Sequence, residues 1–191
     1  MRPLACLTFL ALTSTAIGAQ QPGSQPTGNP IVQSFTSTLP YGRWLIEAFD
    51  SIPESKYGYK PTPVQQTVGY IAQHLEDANY QLCARMSGVK HPLTAKDSLA
   101  DTVKAKWPKD TLTARLKASL YFCRDVIANV TDASLADTIM TVGPPNARHT
   151  AYRARYFVLF VTDLAEHYAQ IAGYMRQLGM IPPSAQPPPG R

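Results

Sequence analysis

TPVQQTVGYIAQHLEDANYQLC, Thr62 to Cys83, is the stretch from which the fold class can be read. Thr62 reads as a helix N-cap, Pro63 suits the first helical position, and Gln65 completes a capping box. Val64, Val68, Ile71, Leu75, Ala78 and Leu82 then recur every three or four residues, the apolar stripe of an amphipathic helix. Gly88 is a natural stop.

Proline placement extends this reading outward. Prolines are absent from 64–91, 109–143 and 146–181, and proline is excluded from helix interiors, so these windows can hold long helices. Upstream, a first helix is expected over Ile31 to about Ile52, with Pro40 as a kink or restart and Leu39, Trp44, Leu45, Ala48 and Phe49 on its apolar face. Downstream, residues 89–110 form a long connection with a short helix near Ala95–Ala105. A third helix spans about Leu112 to Val130, with the stripe Leu112, Leu116, Leu120, Cys123, Ile127 and Val130. A last helix spans about Ala147 to Leu178, with Phe157, Phe160, Val161, Leu164, Tyr168, Ile171 and Met175 on one face. Gly179 ends it and Pro182-Pro183 seals it. No period-2 alternation is seen, so no strand is expected. Amphipathic helices in this number bury their stripes together, giving an all-α four-helix bundle. The 89–110 connection is long enough to cross the bundle, which makes the second and third helices parallel and the topology up-down-down-up.

The bundle occupies 31–184, flanked by a Gly/Pro-rich linker at 20–30 and a Pro-rich tail at 185–191. Met1-Arg2, the apolar run Leu4 to Ile17 and the small residues up to Ala19 read as a secretory signal peptide over 1–19, with an uncleaved anchor as the alternative. The run is shorter than the ~20 residues that span a bilayer, and no other segment comes close, so the mature form carries no membrane span. Export places the chain in the periplasm or outside the cell.

Cleavage would remove Cys6, leaving Cys83 and Cys123. An even count in an exported protein favours a disulfide, with buried free thiols as the alternative. Cys123 lies within an apolar stripe, which argues against a catalytic thiol. The 191-residue length suits one domain, and 45% hydrophobic against 16% charged residues excludes wholesale disorder. The net charge of +5 has no dense basic run behind it. Nucleic-acid binders cluster such charge on one face, so nucleic acid is not an expected partner.

Histidines stand at 74, 91, 149 and 167. His91 precedes Pro92 in the connection and reads as solvated, and His149 lies among Arg148, Arg153 and Arg155 at the start of the last helix. At about 100° per residue, His74 falls about 80° to one side of its helix's stripe. His167 and Asp163 fall about 70° and about 110° to the same side of theirs. Asp163 and His167 are one turn apart. If the two helices are neighbours, His74, Asp163 and His167 meet at the edge of the core. Two imidazoles and a carboxylate form a three-ligand set for a divalent transition metal, with a position left open for water or substrate. An Asp-x-x-x-His pair also arises by chance, and hydrogen-bonded boundary histidines without a metal are the alternative. Asp77, three residues after His74, is a candidate to orient its imidazole. Glu76 reads as solvated, and Glu166 is also near. Gly-rich phosphate loops, Cys-x-x-Cys, Gly-x-Ser-x-Gly and the di-iron Glu-x-x-His are absent. Asn129-Val130-Thr131 matches a glycosylation acceptor but falls at a helix end.

Tyr57-Gly58-Tyr59-Lys60-Pro61-Thr62-Pro63, Gly69 through Tyr80 and Cys83 resemble the DinB-like superfamily. So do Asp163 through Gln170, Tyr174-Met175-Arg176, Gly179 and Ile181-Pro182-Pro183. The resemblance covers about 31–184 and is greatest to the exported branch with two helix cysteines. It implies the up-down-down-up bundle and a divalent metal, often zinc or nickel, carried here by His74, Asp163 and His167. Asp163 replaces the first histidine of the family's usual His-x-x-x-His pair. Relatives include thiol-dependent transferases and an isomerase, which implies a metal-dependent hydrolase or transferase acting on a small molecule. Tyr80, Tyr168 and Arg148, Arg153 and Arg155 are candidates to meet an anionic substrate. The alternatives are a non-catalytic cell-envelope binding or stress-related module with a degenerate metal site, and a structural role in a homodimer.

Overall fold

The computed structural model describes residues 30–38, 40–143 and 147–187. The expected signal peptide, the linker up to residue 29 and the end of the tail lie outside the described residues. The fold is mostly helical, with one small sheet. In chain order it comprises α1 (Pro30–Thr38), α2 (Tyr41–Ser51), α3 (Val68–Ser87), α4 (Asp101–Lys104), α5 (Lys109–Ile127), α6 (Asp132–Leu135), β1 (Thr138–Gly143), β2 (Ala147–Tyr152) and α7 (Arg153–Gln177). Pro40 acts as a restart, because its carbonyl accepts the Trp44 N–H at 3.0 Å in the first turn of α2.

Two sequence expectations are corrected. The first concerns the start of α3, which is capped by Thr67 and not Thr62. The Thr67 hydroxyl accepts the Tyr70 N–H at 3.1 Å. Thr62 to Gln65 forms only a turn, and Val64 is 94% exposed. Both threonines have suitable cap chemistry, and tertiary contacts choose between them. The Val68 and Gly69 N–H groups donate to the carbonyls of Tyr59 and Tyr57 at 3.1 and 2.9 Å. That loop satisfies the donors a further turn of helix would have used. At the other end Gly88 adopts φ 81°, the left-handed conformation glycine accepts without strain, and its N–H closes on Ala84.

The second correction is the antiparallel hairpin of β1 and β2, which pairs Thr138 with Tyr152 and Gly143 with Ala147. Only Ala151 on β2 is buried, and on β1 Met140 and Val142 are exposed. On β1 burial does alternate, with Ile139 packed partly against the core, but apolar Met140 and Val142 fill exposed positions and polar Thr141 a half-buried one, so hydrophobicity does not follow the period-2 pattern. The last long helix therefore begins at Arg153, and Arg148 and His149 belong to a strand.

The directions of the long helices follow from their contacts. Glu76, Asn79 and Cys83 of α3 meet Arg115, Ser119 and Cys123 of α5. The offset is nearly constant, so the two helices run the same way. Contacts between α3 and α7 run oppositely: Arg153 reaches the carbonyl of Arg85, and Asp163 and His167 meet His74. Lys109 of α5 donates to the carbonyls of Asp50 and Ile52 at the end of α2, whereas Leu120 lies against Gly42 near its start. Leu45, Phe49, Ile71, Leu75, Leu116, Ile171 and Met175 fill the core between these helices.

The stripe expected on α5 is buried throughout. That of α3 is broader than expected, because the connection between α3 and α5 covers a second flank. Gln73, Glu76 and Asn79 are buried, while Ala78 and Leu82 are only partly so. At Gly69 the connection comes so close that an added Cβ would collide with the carbonyl oxygen of Ala105. Among the described residues no helix is long and apolar enough to cross a membrane.

Candidate metal centre

His74 on α3 and Asp163 and His167 on α7 come together as their spacing predicts. His74 Nε2 and His167 Nδ1 each lie 3.6 Å from Asp163 Oδ1. The two imidazoles stack with centroids 4.8 Å apart and 23° between planes. One ligand atom from each residue lies within 4.8 Å of the others. The side of His74 is the open one: its side chain is 35% exposed, against 8% for His167.

Two details fit this set to a cation. His167 Nδ1 lies 3.0 Å from the backbone carbonyl of Asp163. A proton on Nδ1 donates to that carbonyl and leaves the Nε2 lone pair free, the arrangement that orients a ligating imidazole. Asp163 Oδ2 is buried with no hydrogen-bond partner among the described residues. A buried carboxylate oxygen without a partner is costly, and a bound cation would satisfy it. The Asp163 carboxylate also holds His74 above its ordinary imidazole pKa, an effect that burial partly opposes. A metal would take the place of that proton.

Tyr70, one turn before His74, was not identified from sequence. Its ring lies parallel to that of His74, with centroids 6.5 Å apart, and its hydroxyl donates to Asp101 at 3.3 Å. Its four-residue spacing from His74 was the available signal.

Asp77 is a correction. Its carboxylate is taken by the buried Lys104 of α4, which also lies 3.5 Å from Asp101. Asp77 therefore anchors the connection, and its charge also favours the protonated His74 imidazole. Glu76 is a second correction, because it is 1% exposed and not solvated. Arg115 donates to it from Nε at 2.8 Å and Nη2 at 2.6 Å, holds Asp97 at 2.6 Å, and lies over the Trp107 ring at 5.0 Å. Burial raises the Glu76 pKa and Arg115 pulls it back, whereas the Thr94 N–H and Arg115 lower Asp97 to about 2.

The other sequence candidates lie elsewhere. Glu166 is exposed, His149 is exposed on β2, and His91 is partly buried with its Nδ1 enclosed. Tyr168 is buried and accepts the Ser184 N–H at 2.8 Å, and Arg153 donates to the end of α3. Both have structural partners. Cys83 and Cys123 form a disulfide between α3 and α5, with Cα atoms 5.4 Å apart, so neither is a free nucleophile.

The fold and this site define a mostly helical protein with a three-residue His/Asp/His cluster able to hold a divalent cation. The chain belongs to the DinB superfamily, whose family model matches residues 43–171. A DinB-like protein from Bacillus cereus ATCC 10987 is 17% identical, with a TM-score of 0.56 over 80% of this chain and 93% of that one. A conserved protein from Enterococcus faecalis is 18% identical, also at 0.56, over 78% of this chain and 96% of that one. At these identities the likeness is one of fold. No curated protein matches the chain.

Proposed function

We propose that this protein is an exported member of the DinB superfamily that acts as a divalent-metal-dependent hydrolase or transferase on a small molecule. The observation that carries this reading is the buried, unpartnered Oδ2 of Asp163 within a cluster of two imidazoles. His74, Asp163 and His167 would hold the cation, with zinc or nickel the expected identity. When bound, such a cation is a Lewis acid that lowers the pKa of a water or thiol. The chain's own contribution is orientation: the Asp163 carbonyl fixes the His167 ring, Tyr70 braces His74, and the Lys104–Asp77 pair holds the connection beside them.

The four long helices α2, α3, α5 and α7 form an up-down-down-up bundle in this reading, supported by the parallel α3–α5 contacts and the opposed α3–α7 and α2–α5 contacts. Export to the periplasm or cell exterior is supported by the apolar N-terminal run and the Cys83–Cys123 disulfide. A homodimer built through the bundle faces is proposed, without nucleic acid as partner. The second reading is a non-catalytic envelope module. It is favoured by the His74–Asp163 pairing, which gives both groups a partner without a metal.

The test loads the full chain with zinc or nickel and screens ester, amide and phosphoester hydrolysis and thiol transfer. Turnover that Asp163→Ala and His167→Ala abolish supports the enzyme. Metal-loaded protein without turnover above those variants' background overturns it in favour of the module.

A further inference from the structure

A cleft of about 750 Å³ lies between the 57–67 loop and the connection that leads into α5. Its size is that of small-molecule sites. Tyr57, Tyr70 and Trp107 give it aromatic walls, Gln66 and Thr67 add polar groups, and Lys60 and Lys106 line it as cations.

Its lining is rich in cations, and Asp101, which meets the Tyr70 hydroxyl at its edge, lies beside Lys104. Glu54 is the only carboxylate among the lining residues. Lys109 is committed to the carbonyls of Asp50 and Ile52. Lys60 donates to the Pro63 carbonyl, which leaves its charge uncompensated, and Lys106 is exposed with no carboxylate within ion-pair reach among the described residues. A second cleft, between α1, α2, α5 and α7, differs in this respect. Its Arg43 is paired with Glu47 and its Arg124 with Asp125.

The cleft is separated from the candidate metal centre by the Tyr70 side chain. Tyr70 is a wall of the cleft and lies parallel to the His74 imidazole. Gly69 keeps the two structures adjacent by letting the Ala105 backbone pack directly on α3.

We infer that this cleft is the subsite for the anionic, flat-bodied part of an organic-acid substrate, with the carboxylate on Lys60 and Lys106 and the body between Trp107 and Tyr70. Its role as a substrate subsite rests on the metal-centred reading above; its ability to bind such an anion does not.

The probe is 1-naphthoate, with the uncharged 1-naphthalenemethanol as comparator. Each is titrated into the metal-free full chain at low ionic strength, by calorimetry and tryptophan fluorescence. Naphthoate is expected to bind and to change the emission, and Trp107→Phe is expected to remove that change. Lys60→Gln/Lys106→Gln is expected to weaken binding at least tenfold, and the alcohol to bind at least tenfold more weakly. Arg124→Gln, in the other cleft, is expected to leave it unchanged. No binding, equal binding to the double lysine variant, or weakening by Arg124→Gln would overturn the assignment. The two readings fail separately. Naphthoate bound by a protein that takes up no zinc keeps the cleft and removes the metal centre, and zinc uptake without naphthoate binding does the reverse. With Mn²⁺ loaded, the bound naphthoate's proton lines are expected to broaden. Sharp lines would overturn the subsite role.

Discussion

Arg115→Met is the substitution that most strongly probes how the connection is held to the bundle. The change removes both donors to Glu76, the donor to Asp97 and the cation over Trp107. The Glu76 side chain is only 2% exposed, so its carboxylate is left buried and unpaired. Breaking a buried pair in this way costs about 3–5 kcal/mol. The Arg115 side chain is 29% exposed, so water can partly replace it and the lower end, about 3 kcal/mol, is expected. For a chain of this size that corresponds to a fall in Tm of about 6–12 °C. The deficit should depend on pH. Burial already raises the Glu76 pKa while Arg115 opposes it, so losing Arg115 raises it further. A carboxyl whose folded pKa is raised loses stability as pH rises through that pKa. The variant's deficit should therefore be small near pH 4 and grow toward pH 7. Urea unfolding at pH 4, 5.5 and 7 reads both the size and the slope. Glu76→Leu/Arg115→Met should recover most of the loss, since an apolar pair replaces a buried ion pair at little cost. A single variant within about 0.5 kcal/mol of wild type at pH 7, or a double variant worse than the single, would refute the reasoning.

Other perturbations follow from the same contacts. Gly69→Ala would drive a methyl into the Ala105 carbonyl. It should destabilise by about 1–3 kcal/mol, and hydrogen exchange should show the loss concentrated in the connection, not in α7. Cys83→Ser/Cys123→Ser opens a loop with sequence separation 40. The chain-entropy model gives a loss of about 4 kcal/mol, measured by urea unfolding against the oxidised wild type. Asp97, held at about 2 in the fold, contributes stability present above its ordinary pKa and lost as pH falls toward 2. Asp97→Asn should remove that part of the acid limb while lowering stability at pH 7, as read by thermal melts between pH 2 and 7. Tyr57→Phe deletes the buried hydroxyl that donates to the Phe49 carbonyl at 2.8 Å, and should cost about 1–3 kcal/mol in the same melts.

The long helices and the three-residue cluster were legible in the sequence because both depend mainly on spacing within helices. The Leu112 to Val130 stripe and the Asp163–His167 turn needed no tertiary information beyond the pairing of α3 with α7. What the sequence hid is set between elements. Thr62 and Thr67 are equally good caps by chemistry, and only the carbonyls of Tyr57 and Tyr59 decide between them. In sequence Glu76 looks like a solvated carboxylate and Asp77 like a partner for His74. Glu76 is buried on Arg115 and Asp77 is tied to Lys104, because residues of α5 and of the connection reach them from 39 and 27 positions away. The hairpin stayed silent because β2 buries only Ala151 and β1 carries apolar Met140 and Val142 on its exposed positions. Tyr70 required knowing that the His74 side of the cluster is the open one.

The central claim is that His74, Asp163 and His167 hold a divalent cation, and metal content tests it most directly. The untagged protein, purified from the exported fraction, is analysed by inductively coupled plasma mass spectrometry beside His74→Ala and His167→Ala. The account predicts near-stoichiometric metal in wild type and its loss in both variants, with the fold retained by circular dichroism. Wild type that is metal-free as isolated, and still empty after incubation with zinc, nickel or manganese, would contradict it.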